Sequence, residues 1–294
     1  MMDYKAIACL QQVIESQSFE KAGDALGLTQ SAVSQKIKKL EVQYGAPLLL
    51  REKPLALTAL GAKLIAHLMK VQLMEQALLT DETKNATRQK LVIGVNNDSL
   101  ATWVMSAFSN LLAAEKVQLQ VKTADQSQTR HLLQKGEIVA GICDIGTPVV
   151  GGDSTFLGFL NYVLVAAPTY IEKHLTTKST LAELAQLPAL VFNENDELWK
   201  RYQEDILQVK QNLNHCHWLP SSEGFVTMLL SGTVCAVIPS IQIKRELQQG
   251  LLIELLPGKK LSVPLYWHWY NLNSPALEKL TDLIKTEALT ALVH

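Results

Sequence analysis

The 294-residue chain lacks several features, and each absence narrows what it can do. No apolar run approaches the roughly 18 residues of a membrane-spanning helix, so no membrane partner is expected. Met1-Met2-Asp3-Tyr4-Lys5 shows no basic segment followed by an apolar stretch and a small-residue cleavage site. No secretory signal is therefore expected, and the expected location is cytoplasmic. The four cysteines (Cys9, Cys143, Cys216, Cys235) are far apart and form no CxxC pair. That excludes a disulfide framework and points to reduced thiols, mostly in the core. G-x-S-x-G, the P-loop, G-x-G-x-x-G and H-E-x-x-H are all missing, so no enzyme is expected and no cofactor is called for. There is no repeat of solenoid period and no low-complexity tract. The net charge is only −1, which taken alone argues against a nucleic-acid partner.

What is present is an ordinary folded composition, 48% hydrophobic and 19% charged, at a length that suits two or three domains. The near-neutral charge hides an asymmetry. Residues 1–90 carry 12 Lys/Arg against 9 Asp/Glu, net +3, and residues 91–294 carry 15 against 19, net −4. A modestly basic head on an acidic body fits a DNA reader joined to a small-molecule sensor.

The first sixty residues read as short helices with tight turns. Ile7, Leu10 and Ile14 recur at helical spacing, and Ser18 caps a second helix with Phe19, Ala22 and Leu26 inside. Gly27 suits a sharp turn. Thr29 caps a third helix to about Tyr44, with Val33, Ile37, Leu40 and Tyr44 on its apolar face. Ser31, Ser34, Gln35 and Lys38 lie opposite. Strands are expected at 48–50 and 55–57, flanking a basic tip that makes a wing. From 58 to 82, Leu57, Leu60, Leu64, His67, Val71, Met74 and Leu78 step by 3 and 4 in alternation, an a/d seam that predicts pairing with another helix. His67 on that seam reads as a partly buried spacer. Residues 83–90 are polar and read as a hinge. Beyond it strands at 91–95, 117–122, 138–143, 159–166, 189–193, 215–219, 234–238 and 265–270 alternate with helices, one running through Trp103 to Leu111. Alternation of this kind predicts parallel sheets covered on both faces.

A helix, a glycine-containing turn and a helix with a polar face form the helix-turn-helix pattern. The polar face supplies groups for base edges, and Gln35 has the amide that pairs bidentately with adenine. Lys36, Lys39, Arg51 and Lys53 suit phosphates. The stretch Phe19-Glu20-Lys21-Ala22-Gly23-Asp24-Ala25-Leu26-Gly27-Leu28-Thr29-Gln30-Ser31-Ala32-Val33-Ser34-Gln35-Lys36-Ile37-Lys38-Lys39-Leu40-Glu41 closely resembles the N-terminal signature of LysR-type transcriptional regulators. Gly45, Pro47-Leu48-Leu49, Arg51, Leu57-Thr58 and Gly61 continue it at family spacing. The resemblance implies an α/β protein in three parts: a winged helix-turn-helix at 1–58, a dimerising linker helix and hinge at 59–90, and an effector domain at 91–294 resembling periplasmic binding proteins. Lobe I would comprise 91–161 and 268–294, and lobe II 162–267. The implied DNA-facing set is Thr29, Gln30, Ser31, Ser34, Gln35, Lys36, Lys38, Lys39, Arg51 and Lys53. Implied partners are double-stranded promoter DNA, RNA polymerase and a second copy through the linker helix, with a tetramer left open.

A narrower resemblance follows. Val95-Asn96-Asn97-Asp98-Ser99-Leu100-Ala101-Thr102-Trp103, Ser221-Ser222-Glu223-Gly224-Phe225-Val226 and Leu265-Tyr266-Trp267-His268 are similar to the arginine/lysine-export regulators, also called chromosome-initiation-inhibitor-like. That implies lysine or arginine as effector and a basic amino-acid exporter gene as target. Ligands in open α/β sheets bind beyond the carboxyl ends of strands. Asn97, Asp98 and Ser99 follow the first strand, Asp125 the second and Asp144 the third, while Ser222 and Glu223 open a helix in the other lobe. Ser99, Thr102 and Ser222 suit a ligand carboxylate, and Asp98, Asp144 and Glu223 a cationic group. Asp98, Ser99 and Ser221 serve equally well as helix caps. His215-Cys216-His217 looks like a metal tripeptide but has no further ligand cluster, and packing is the expected role. Tyr266, Trp267, Trp269 and Tyr270 are expected to pack between lobes. The other readings left open are a regulator of a different metabolite and an amino-acid binding protein of transport type.

Overall fold

A computed structural model describes residues 2–50, 54–79, 89–114, 117–123, 126–149, 151–176, 180–194, 196–209, 216–272 and 274–294. The head begins with helices α1 (Tyr4–Ser16), α2 (Phe19–Leu26) and α3 (Gln30–Tyr44), then strands β1 (Leu49–Leu50) and β2 (Ala56–Leu57), and helix α4 (Ala59–Leu79). Their ends are those the sequence chemistry calls for. Asp3, Ser18 and Thr29 accept hydrogen bonds from the backbone amides of Ala6, Lys21 and Ala32. Gly27 and Gly45 close α2 and α3 in the left-handed region, at φ 64° and 65°. Ile7, Leu10, Val13, Ala22, Val33, Ile37 and Leu40 form the head's core with Leu64, Ile65 and Leu68 of α4.

The wing is held by side chains standing in for a longer ladder. Gln17 takes φ 53°, and its amide brackets Leu55, accepting from the Leu55 amide at 2.8 Å and donating to the Leu55 carbonyl at 3.0 Å. Glu41 accepts from Leu48 N at 3.0 Å. Gly61 lets α4 pass against the wing, since a Cβ there would lie 2.2 Å from the Leu48 carbonyl oxygen. The basic tip, Arg51 and Lys53, lies outside the described residues.

The expected seam on α4 is partly spent within the chain. Leu64 is buried against the head, and His67 Nε2 meets Tyr4 Oη at 3.1 Å, the rings stacked 5.8 Å apart. Leu57, Leu60 and Val71 remain half-buried, while the side chains of Met74 and Leu78 lie outside the described residues. Most of the expected hinge also lies outside them.

The body follows as β3 (Gln89–Val95), α5 (Asn97–Thr102), α6 (Val104–Ala114), β4 (Val117–Thr123), α7 (Gln126–Lys135), β5 (Ala140–Cys143), β6 (Gly152–Ala166), α8 (Pro168–His174), α9 (Leu181–Leu184), β7 (Ala189–Val191) and α10 (Glu197–Tyr202). A π-helical turn (Gln203–Leu207) leads to β8 (Cys216–Trp218), α11 (Ser222–Leu230), β9 (Cys235–Pro239), α12 (Lys244–Gln248), β10 (Ile253–Glu254), β11 (Leu261–Tyr270) and α13 (Pro275–Ala291). The sheet order is β4-β3-β5-β11-β6-β9-β7-β8, with β10 on β6. Parallel pairs lie on both flanks, as alternation predicts, but the middle differs. β6 and β11 are antiparallel to each other over a long ladder with a bulge between Leu265 and Tyr266, and β6 is antiparallel to β9. The expected lobe limits, 161/162 and 267/268, fall inside these two unbroken strands. The single helix expected through Trp103 is two, α5 and α6, breaking at Trp103. The aromatic run of β11 packs inside lobe I rather than between lobes. Trp267 donates to Thr281 of α13 at 3.0 Å, and Tyr270 donates to the Leu133 carbonyl at 2.6 Å.

Head and body touch through α4. Gly136, at φ 67° after α7, lies so near α4 that an added Cβ would sit 2.0 Å from Ala66 Cβ. One turn on, Lys70 Nζ stands 3.9 Å from the Tyr270 ring centre, a cation–π contact. Among the described residues no helix is long and apolar enough to cross a membrane, and no group of three His, Cys, Asp or Glu could hold a metal.

Candidate functional site

Two surfaces stand out, one on the head and one in the body. On the head, α3 buries Val33, Ile37 and Leu40 and turns Gln30, Ser31, Gln35, Lys38 and Lys39 to solvent, with Thr29 exposed at the cap. Ser34 and Lys36 are half-buried on its margins. Thr29 Oγ1 and Ser31 Oγ are 3.0 Å apart, which fixes the first turn. Gly23 brings α2 close to the turn before α3, since a Cβ there would lie 2.6 Å from the Leu28 carbonyl oxygen. The result is a helix with one packed face and one row of hydroxyl, amide and ammonium groups in open solvent. Such a row can meet base edges and phosphates together.

In the body, a cleft opens where the carboxyl ends of β3 and β5 face α10, α11 and β9. Its cavity volume is about 100 Å³, several times the space one water occupies. Asn97, Asp98, Asp144 and Ser222 line it, as do Asn96, Tyr162, Asp196, Glu197, Arg201 and Gln242. Asp98 stands between the two sides. Its Oδ2 accepts from Tyr162 Oη at 2.8 Å and its Oδ1 from Ser222 Oγ at 2.9 Å, the latter bond joining α5 to α11. Asp144 follows β5 on a loop pinned from three sides. His268 Nε2 donates to the Ile145 carbonyl at 2.6 Å, Ser154 to Gly146 and Arg130 to Thr147. Burial lowers the His268 pKa, so this ring is neutral when it donates. Cys143, just before Asp144, is pushed up to about 12, first by burial and then by the Asp144 charge, and stays a thiol at neutral pH.

The lining is rich in carboxylates: among the described residues Asp98, Asp144, Asp196 and Glu197 face a single guanidinium, Arg201. Asp196 is committed to the backbone, capping α10 at Leu198 N and accepting from Phe192 N. Others are not so committed. Asn96 Oδ1 and Nδ2, Asp144 Oδ1 and Gln242 Oε1 are buried atoms with no hydrogen-bond partner among the described residues. Buried polar atoms without partners cost about 1–3 kcal/mol each, and a polar molecule in the cleft would give these four the partners they lack. Three of the four are acceptors, which suits a ligand rich in N–H donors.

Three residues expected here are placed elsewhere. Glu223 is exposed and outside the lining, because the one-residue step from Ser222 turns it about 100° around α11. Ser99 is fully buried beneath α5, and the Thr102 hydroxyl is tied to the Asp98 carbonyl one turn back. Asp125 and His215 lie outside the described residues. Arg201, Tyr162 and Gln242 were not signalled by any motif, and Asn96, inside the stretch Val95–Trp103, was not singled out as a site residue. Asn96 alone had a legible clue, its place directly after a strand.

The head matches the family model described as "Bacterial regulatory helix-turn-helix protein, lysR family" over residues 4–62, and the body matches "LysR substrate binding domain" over residues 84–289. Over its whole length the chain is 38% identical to the HTH-type transcriptional regulator ArgP of Pseudomonas aeruginosa, of which it covers 98%. The crystal structure of ArgP from Mycobacterium tuberculosis superposes with a TM-score of 0.87 at 30% identity, covering 100% of this chain and 99% of the other. Full-length LysG from Corynebacterium glutamicum, solved with bound effector Arg, superposes with a TM-score of 0.79 at 27% identity, with full coverage of both chains.

Proposed function

Because the chain belongs to the LysR family of transcriptional regulators, we propose that it senses lysine or arginine and controls transcription of a basic amino-acid exporter gene. The observation that carries this reading is the cleft: carboxylates of Asp98 and Asp144, with buried acceptors on Asn96, Asp144 and Gln242, converging on one cavity. A lysine ammonium brings three donors and an arginine guanidinium five, which is the chemistry those acceptors lack. The arginine held by the similar LysG supports it. Ser222 and Asn97 add a hydroxyl and an amide to the lining.

On the head, Ser31, Ser34, Gln35 and Lys38 read base edges, while Thr29, Gln30, Lys36, Lys39 and the wing residues Arg51 and Lys53 hold phosphates. Two copies pair through the outer face of α4, and RNA polymerase is the partner of the promoter-bound form. The domain limits 1–58, 59–90 and 91–294 are part of this reading.

Calorimetric titration of the whole chain with lysine and arginine tests it directly. Saturable binding of at least one is expected, and heats no larger than dilution for both would reject the ligand class. Ligand and promoter DNA must then change each other's affinity by one common factor. For the head, promoter affinity is expected to fall steeply with salt. Lys39→Ala should lower the slope of log K against log salt by about 1 without changing sequence preference. An unchanged slope in a binding series from low to high salt would remove Lys39 from the phosphate set.

A further inference from the structure

We infer that Arg201 is the specificity-determining residue of the cleft, the group that receives the ligand's α-carboxylate and so admits basic amino acids while rejecting the corresponding amines. This rests on the reading of the cleft as a basic amino-acid site. An amino acid carries a carboxylate as well as its cationic groups, and a cleft of acids repels it. Among the described lining residues Arg201 is the sole cation.

Its present engagement is weak. Arg201 Nη1 stands 3.9 Å from Asp144 Oδ2, beyond hydrogen-bond length, with the two side chains 38% and 22% exposed. At that range the pair is a loose one that makes no hydrogen bond. The planar guanidinium fork therefore has donors to give, and a carboxylate is the group it matches bidentately. When Arg201 takes the ligand carboxylate, Asp144 is relieved of its only cross-cleft partner in the described structure. Its Oδ2 joins the orphaned Oδ1 as an acceptor for the ligand's cationic end.

Local structure aims the side chain. Asp196 caps α10 at one end, and Trp199 and Tyr202 anchor its inner face. The helix then widens into the π-helical turn Gln203–Leu207, where the buried Gln203 amide donates to the Ala185 carbonyl at 3.2 Å. Single π-turns are uncommon and recur at functional sites, because they shift the helix face by a fraction of a turn. Here the turn begins two residues past Arg201 and fixes the end of the helix that carries it.

The test is calorimetry on the whole chain with lysine and arginine and with their decarboxylated forms, cadaverine and agmatine. The wild type is expected to bind an amino acid about 100-fold more tightly than its amine. Arg201→Gln should lose about 100-fold on the amino acid and bind the amine at least as well as before, which collapses the discrimination. Arg201→Lys should recover part of the loss, with charge kept and the fork absent. Arg201→Gln with amino-acid affinity within threefold of wild type would overturn the assignment while leaving the cationic-ligand reading standing. A wild type that binds neither amino acid would overturn both. Equal melting temperatures of wild type and variant serve as the folding control.

Discussion

Asp98→Asn is expected to lower affinity for lysine and arginine by about 100-fold or more. The substitution keeps the shape of the side chain and removes only its charge and one acceptor. In the native chain Asp98 accepts from Tyr162 and Ser222 at once, so its charge sits where β6, α5 and α11 meet. A cationic ligand placed there gains a charge-assisted bond in a site walled by Phe192, Phe225 and Val237, where such bonds are stronger than in water. Ser222 is a second consequence. Its hydroxyl bond to Asp98 joins the two lobes, and the neutral amide weakens that bond too. Asp98→Ala would confound the two effects with a cavity, so the asparagine variant is the informative one. Titration calorimetry reads the loss, and wild-type affinity in Asp98→Asn would remove the residue from the site.

Gly136→Val is expected to uncouple the sensor from the head. The position combines two demands that only glycine meets. Its φ of 67° is disfavoured for β-branched residues, and a Cβ would lie 2.0 Å from Ala66 on α4. Neither Cβ is the tip of a flexible side chain, so α4 must leave the surface of α7, taking Lys70 from Tyr270 with it. A stability loss of about 2–4 kcal/mol is expected from strain and overpacking together. Gly250→Val separates these terms, since Gly250 has φ 69° with nothing within 4 Å of an added Cβ. The cleft is built from other residues, so amino-acid affinity in Gly136→Val should stay within about threefold. The factor by which ligand alters promoter affinity should shrink toward one, as it must when two sites no longer share a two-state element. Full retention of that factor, measured by DNA binding with and without ligand, would show that the Ala66–Gly136 contact carries no signal.

The head was legible because its chemistry is local. Ser18 and Thr29 cap where the sequence places caps, Gly27 and Gly45 close helices, and Val33, Ile37 and Leu40 are spaced to pack. Asn97, Asp98 and Asp144 were legible for a different reason: they follow strands, and strand ends in such sheets converge. The rest depends on contacts far apart in sequence. Tyr162 sits at the start of the apolar run Tyr162–Ala166 and reads as core, yet its hydroxyl reaches Asp98. Arg201 reads as a surface cation until the sheet order brings α10 opposite β5. Pro264 concealed the first half of β11, because a proline inside a strand reads as a boundary. Strand direction was equally hidden, since alternation of strands and helices looks the same for a crossover strand as for a parallel one.

That crossover bears on how the two sides of the cleft are joined. The chain passes from one lobe to the other along β6 and returns along β11, and the two passages are bonded into one ribbon from Gly152–Tyr270 to Tyr162–Leu261. A ribbon of this kind resists stretching and sliding but yields to torsion. Its soft point is the bulge at Leu265–Tyr266, opposite Gly158 at φ 130°. Directly beside that point, Phe159 and Val293 exchange backbone hydrogen bonds of 2.7 and 3.1 Å, so the segment after α13 is stitched across the soft point. Any change in the angle between the two sides of the cleft would thus have to twist this ribbon against the Phe159–Val293 pair.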